Sequence, residues 1–289
     1  MPSTEVVKKD QFITLKPANP VLQPYIAYYY FHTSLDPSLQ KSFIYYPSLK
    51  NALTIYRHAR ARFDINYSCV EPDEKNDFIF LYSGIQKYPR KADMIAPFDK
   101  AGIVFKELGI NAFLSEPLGR LTSQGIDKSF NHFGDELIDV CKAVYAAHDP
   151  GRKVRLLDSF FERRLLNFPE DALKECVRIV STAEQKTTVE DLSKHVHLSR
   201  KTIQRLFQKH LGCTAKDYID IAHFRKSLNS YILQNEKPSL TQTALENGYY
   251  DHAQFIKHFQ KLAAANPKSF FRSVQQIGGE DTFWTLIDE

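Results

Sequence analysis

The chain is poor in the groups that staple small folds or carry covalent chemistry. Its 289 residues include four cysteines, Cys69, Cys141, Cys176 and Cys213, all far apart. None forms a CxxC pair, which argues against a zinc finger, and scattered thiols suit a reducing compartment where they act as small core residues. No HxH pattern occurs, and His32, His58, His132 and His148 stand alone. Each reads as a surface or internally bonded histidine rather than a ligand, so neither a metal nor a cofactor is expected. Nucleophile motifs, phosphate loops and paired metal ligands are missing, so the chain is not expected to be an enzyme. The longest apolar-aromatic run, near Tyr25 to Phe31, is too short for a membrane span, and the start of the chain is polar and charged rather than signal-like. A soluble cytoplasmic protein is the expectation.

What is present is an uneven charge. The formal net charge is +4. Residues 186–275 carry 14 Lys and Arg against 7 Asp and Glu, and the rest of the chain carries 24 against 27. The positive excess therefore lies in one segment, together with six of the ten histidines, as a phosphate-binding surface requires. A merely solvated basic face would also account for the charge, but not for its placement on the helices described next.

That segment holds two similar units. The first is TTVEDLSKHVHLSRKTIQRLFQKHLG, residues 187–212, and the second is SLTQTALENGYYDHAQFIKHFQKLAAANPKSFFR, residues 239–272. Each reads as a short helix, a tight turn and a second helix with apolar residues inside and Lys, Arg, Gln or His outside. A helix of that kind fits the major groove of B-DNA, which is about 12 Å wide. In the first unit Thr187 with Glu190 suggests a capping box, His197 sits at the turn, and Ser199 is a good N-cap. Ile203, Leu206 and Phe207 then face inward, leaving Arg200, Lys201, Gln204, Arg205 and Gln208 outward. Arg matches guanine and Gln adenine, each with two hydrogen bonds. Solvation or phosphate contact is the plainer reading of Arg200 and Lys201; Gln204 and Arg205, mid-face, favour base reading.

In the second unit Ser239 with Gln242 suggests another capping box, Gly248 supplies the turn and Asp251 caps the next helix. His252, Ala253, Gln254, Lys257 and His258 remain for DNA. Gln254 has a rival role in bonding back to the Asp251 backbone. Between the units, residues 213–233 read as one long helix, a rigid connector that lets two recognition helices enter grooves about 34 Å apart.

The first 110 residues are aromatic and β-branched in runs at 25–34, 41–48, 52–68 and 77–84, and residues 92–108 add two more strands. Helical spacing follows at 135–148 and 154–166, a pair read as packing within its own domain. Pro169 marks a linker at 167–171. The expected division is 1–166 as a β-rich sensor or dimerisation domain with a helical extension, 172–275 as the DNA-binding domain, and 276–289 as an acidic tail. That tail either packs back through Phe283 and Trp284 or stays mobile. The length suits two domains with separate cores. An aromatic pocket drawn from Tyr28, Tyr30, Tyr46, Tyr56 or Phe80 is conceivable, although strand aromatics are more often core.

The two units, in this order and spacing, resemble the AraC/XylS family of bacterial transcription regulators. The resemblance runs from about Thr187 to Arg272 and is strongest at LSRKTIQRLFQKHLG (198–212) and GYYDHAQFIKHFQK (248–261), followed by Pro267 and Phe271-Arg272. It places Lys201, Gln204, Arg205, His252, Ala253, Gln254 and Lys257 where family members touch DNA. The chain departs from the family pattern at His223, where many members have Arg, at Ser193 for Ala, at Thr243 for an aliphatic residue and at Ala264 for Gly. ANPVLQPYIAYYYF (18–31), YYPSLKNALTIY (45–56) and GIVFKELGINAFL (102–114) resemble, more weakly, a cupin-like domain found in one branch of the family. The implied fold is α+β, a β-rich cupin-like domain with a helical extension followed by an all-α domain of two helix-turn-helix units joined by a long helix. The implied function is transcription control, as an activator, with promoter DNA and RNA polymerase as partners; a small-molecule effector and a homodimer stay open. A protein-interaction adaptor with a degenerate DNA-binding domain, or an enzyme using the cupin-like half, is the alternative.

Overall fold

The computed structural model describes residues 10–64, 66–122, 126–234, 237–278, 280 and 282–287. The first half supplies ten strands: β1 Gln11–Leu15, β2 Ile26–Ser34, β3 Gln40–Tyr45, β4 Asn51–Arg57, β5 Ala59–Asp64, β6 Tyr67–Pro72, β7 Phe78–Ser83, β8 Arg90–Ile95, β9 Phe98–Phe105 and β10 Ile126–Asp127. They form two sheets. One runs β1-β2-β9-β4-β7-β10. The other contains β3-β8-β6-β5, with β6 parallel to β8. The run at 52–68, read as one strand, is broken at His58, which adopts φ 49°. Its N–H donates to the Asp77 carbonyl and its own carbonyl accepts from Asp73. No Gly or Pro marks the turn, so β5 and the start of β6 were hidden inside one aromatic run. At the centre of the first sheet Gly102 lies opposite both Tyr30 and Thr54. A side chain there would meet the Tyr30 ring at 2.0 Å, so glycine lets that ring lie across the strand.

Helices α1 Leu118–Leu121, α2 Asp135–Ala146 and α3 Pro150–Arg163 follow. The α2–α3 pair packs within its own half. Leu137, Cys141, Val144, Phe160 and Phe161 join Tyr29 and Phe105 of the first sheet, and Phe113 just after it, in one core. The Tyr145 hydroxyl pins α2 to that sheet, donating to the Ile55 carbonyl at 2.7 Å and accepting from Ala101 N–H at 3.0 Å.

The second half is helical: α4 Asp171–Thr182, α5 Val189–His195, α6 Arg200–Leu211, α7 Ala215–Ile232, α8 Leu240–Glu246, α9 His252–Ala263 and α10 Pro267–Ser273. Two strands close the described chain, β11 Val274–Gln276 and β12 Phe283–Ile287. β12 pairs antiparallel with β3, Trp284 opposite Tyr45 and Leu286 opposite Phe43, so the chain end packs back and extends the second sheet. The halves do not keep separate cores. Tyr46, Leu49, Ile85 and Leu108 from the first half belong to the same buried cluster as Leu192, Phe207, Phe224 and Phe259. The periodicity that defines each helix says which face is apolar, not which domain covers it. No helix among the described residues is long and apolar enough to cross a membrane.

Candidate nucleic-acid interface

Each unit is built by local rules. The capping box of α5 uses Thr188 with Asp191, one residue later than expected: Thr188 Oγ1 accepts the Asp191 N–H while the Asp191 carboxylate accepts the Thr188 N–H. His197 makes the turn at φ 52°, and Ser199 caps α6 through the Thr202 N–H. In the second unit Ser239 caps α8, but the reciprocal bond is missing because the Gln242 amide reaches Glu246 instead. Gly248 turns at φ 75°, and Asp251 caps α9 through the Gln254 N–H. Ile203, Phe207, Phe255 and Phe259 are fully buried, fixing the opposite face of each recognition helix toward solvent. No acidic residue occupies the first turn of α6 or α9, so the positive end of each helix dipole is offset only at the Asp251 cap.

The expected readers differ in what the structure leaves them to do. Lys201, Arg205, His252, Ala253 and Lys257 are exposed. Arg200 is exposed too, 3.5 Å from Glu190 at the surface, a pair worth at most about 1 kcal/mol and easily exchanged for phosphate. The two glutamines are partly engaged. Gln204 Oε1 accepts the Ala215 N–H at 3.3 Å, and Gln254 Oε1 accepts the Tyr250 N–H at 2.9 Å. The rival role of Gln254 is thus filled one residue earlier than expected. Each glutamine oxygen keeps a second lone pair, but the bond already made fixes where the amide can point and so constrains the two-bond match to adenine. His258 is not available: its Nδ1 lies 2.7 Å from the Tyr249 hydroxyl, and burial pulls its pKa down to about 4. Sequence reasoning missed Tyr250, 89% exposed beside the start of α9. The doubled tyrosine was the available signal, one ring being needed inside, Tyr249, and the other left out.

Gln208 lies at the end of α6 that docks on the first half. Its carbonyl and that of Lys209 abut Gly119 of α1, where an added Cβ would come within 2.4 Å. Asn111 Nδ2 donates to the His210 carbonyl at 3.0 Å, and the Glu170 carboxylate meets His210 Nε2 at 2.8 Å and Lys209 Nζ at 3.1 Å. Burial lowers the His210 pKa although Glu170 opposes it. The first recognition helix therefore presents its N-terminal turns and anchors its C-terminus. Between the units, the buried Asp220 of α7 receives Lys186 at 2.6 Å from before α5 and Lys261 at 2.8 Å from α9.

Residues 192–273 match the family model of a helix-turn-helix domain. These residues form an AraC-type helix-turn-helix domain. Over 90 residues the chain is 32% identical to the lactose operon transcription activator of Staphylococcus xylosus, covering 31% of this chain and 32% of that one. Over 87 residues it is 29% identical to the Msm operon regulatory protein of Streptococcus mutans, covering 30% and 31%. The chain thus matches about a third of the length of these curated relatives. A solved structure of ToxT from Vibrio cholerae aligns over 92% of this chain and 98% of that one, with 12% identity and a TM-score of 0.45.

The departures inside the AraC-type domain have physical accounts. His223 stacks on Tyr249 at 4.2 Å and donates from Nε2 to the Asn247 carbonyl at 2.6 Å. Ser193 donates to the Leu198 carbonyl, closing the turn, and the buried Thr243 hydroxyl returns to the Ser239 carbonyl. Ala264 ends α9 in the left-handed conformation at φ 52°, where glycine carries no steric cost. Ala264→Gly is expected to stabilise the protein by about 0.5–1 kcal/mol, the relieved strain exceeding the extra freedom of the unfolded chain. A thermal midpoint unchanged or lowered would show that the strain is not there.

Proposed function

We propose that the chain is a sequence-specific DNA-binding transcription regulator acting in the cytoplasm, an activator that works by binding rather than by catalysis. The observation that carries this reading is the pair of helix-turn-helix units with outward cations, joined by the 18-residue α7. At 1.5 Å per residue α7 is about 27 Å long, so it can carry recognition helices toward grooves about 34 Å apart on one DNA face. Arg205, Lys201 and Arg200 on α6, and His252 and Lys257 on α9, are the proposed main contacts. Gln204, Gln208, Ala253 and Gln254 take lesser parts, and the exposed Tyr250 beside the start of α9 is a further proposed phosphate contact. Residues 172–275 are the DNA-binding unit and residues 1–166 the sensing or dimerising one. RNA polymerase is the partner an activator would recruit; one chain can span two grooves, so dimerisation is not required for binding.

The test is selection of genomic DNA fragments by the full-length protein at near-physiological salt, which should enrich sites with two short blocks about one helical turn apart. Arg205→Ala is then expected to relax discrimination at one base pair by about 1–3 kcal/mol. Equal losses on every sequence would assign Arg205 to phosphate. No enrichment by the full chain would favour the adaptor reading.

A further inference from the structure

Between the two sheets lies a cavity of about 210 Å³ whose wall includes Tyr28, Tyr30, Tyr45, Tyr56, Met94 and Trp284. Of the aromatics the sequence suggested for a pocket, Tyr28, Tyr30, Tyr46 and Tyr56 line it; Phe80 does not, packing instead against the core under α2 and α3. Lys100 of β9 reaches into the cavity and is only 4% exposed. Its ammonium rests 3.0 Å from the Met94 sulfur. The ring centres of Tyr56, Tyr30 and Trp284 stand at 5.4, 5.8 and 5.8 Å. No ion pair joins it to a carboxylate among the described residues.

This is an unusual place for a cation. A buried ammonium without an anion is costly, and ring faces recover only about 0.5–2 kcal/mol each. Several other polar groups of the wall already have partners. Tyr30 is bonded to Thr54 at 2.6 Å and Tyr28 to Thr282. The Asp93 carboxylate accepts from Ser42 at 2.8 Å and Tyr67 at 2.6 Å. Lys100 is a buried cation that calls for a negative partner, and the flat rings of Tyr30, Tyr56 and Trp284 stand around it.

We propose that this cavity binds a small organic carboxylate with a flat apolar body, its anion on Lys100 Nζ and its body among Tyr30, Tyr56 and Trp284. A dry cavity of about 150 Å³ accepts benzene, so this one holds an occupant of on the order of ten non-hydrogen atoms. Two of its walls come from the second half of the chain, Trp284 on β12 and Arg225 on α7. Occupancy therefore bears on how the connector helix of the helix-turn-helix domain is held. That consequence rests on the DNA-binding reading; the binding itself does not.

Protonation follows from the same geometry. Burial, with Lys41 adding like charge, lowers the Lys100 pKa to about 7, while Asp10 works the other way. Asp10 also bridges Lys41 on β3 and His32 on β2, and burial brings the His32 pKa to about 3, so that ring is neutral at pH 7. A carboxylate on Lys100 favours its charged form, so binding takes up a proton above pH 7. Affinity is expected to fall about fiftyfold between pH 7 and pH 9.

The chain has one tryptophan, Trp284, and it lines the cavity, so its emission reports occupancy without a label. Full-length protein is titrated with phenylacetate, 3-phenylpropanoate and cinnamate, and with the neutral amide of each. Saturable emission changes with at least one carboxylate are expected, at least tenfold weaker for its amide and for Lys100→Met, with the stated pH dependence. Lys100→Met should fold, since it removes a buried charge and keeps a similar volume; if it does not, the carboxylate–amide comparison and the pH series decide. Absence of saturation with all three carboxylates up to about 10 mM, a range in which even weak complexes saturate, would overturn the proposal. So would equal affinity for acid and amide, or binding that ignores pH. Loss of DNA binding with carboxylate binding intact would instead count against the regulator reading alone.

Discussion

Phe259→Ala is expected to destabilise the helix-turn-helix half by about 3–5 kcal/mol, the cost of emptying a fully buried aromatic site. Phe259 is 0% exposed and sits at the junction of three helices. Its ring centre lies 4.9 Å from Phe224 on α7, 4.6 Å from Phe255 on α9, and 5.6 and 5.3 Å from Phe270 and Phe271 on α10. Four large rings cannot collapse into the vacated space without moving the helices that carry them, so the cavity term is kept rather than relaxed away. The cluster continues through the edge-on contact of Phe270 with Tyr46, 4.7 Å between centres, into the β-rich half. The loss should therefore appear in the unfolding of the whole chain. Denaturant unfolding followed by circular dichroism measures it. A loss below about 1 kcal/mol, the scale of an ordinary surface change, would mean that the aromatic cluster does not hold α7, α9 and α10 together.

The second large effect is expected at Asp220. Asp220→Ala should cost about 2 kcal/mol, less than the 3–5 kcal/mol typical of breaking a fully buried pair, because the stranded Lys186 and Lys261 reach water. The two ammonium groups come from opposite units, so the carboxylate fastens both to α7. Burial alone would raise the Asp220 pKa, but Lys186 and Lys261 outweigh it and hold the carboxyl below its usual value. A carboxylate held low contributes stability that is fully present above the unfolded value of about 3.9 and is lost as the pH falls through the lower folded value. Wild type and variant should thus differ at pH 7 and converge in strong acid. A constant difference across that range would place the effect in packing rather than charge.

How much was legible depends on the reach of each interaction. The recognition helices were readable because their signals are local. Ser199 and Asp251 are caps three residues from their targets, Gly248 and His197 take left-handed turns, and Ile203, Phe207, Phe255 and Phe259 repeat at helical spacing. Thr187 and Thr188 adjoin and are the same residue type, so only the placement of Val189 and Leu192 against the core picks the second as the cap. Gln204 and His258 were read as outward because helical spacing places them near the exposed face. The first bonds to the start of the next helix and the second to Tyr249, contacts that require knowing where those elements pass. His58 hid a turn because histidine tolerates the left-handed region without advertising it.

By itself, then, the amino-acid order determined the α+β class, the strand-rich first half, the two helix-turn-helix units and the identity of their outward cations. These rest on periodicity, caps and turns that act within a few residues. Only the tertiary structure decided that β12 completes a sheet begun some 240 residues earlier, at β3. It also decided that Asn111 and Gly119 meet the end of α6, and that Lys100 is enclosed by rings from β2, β4 and β12. Those pairings join segments whose spacing along the chain carries no mark of their contact; they follow from how two sheets and a helical layer share one continuous buried surface.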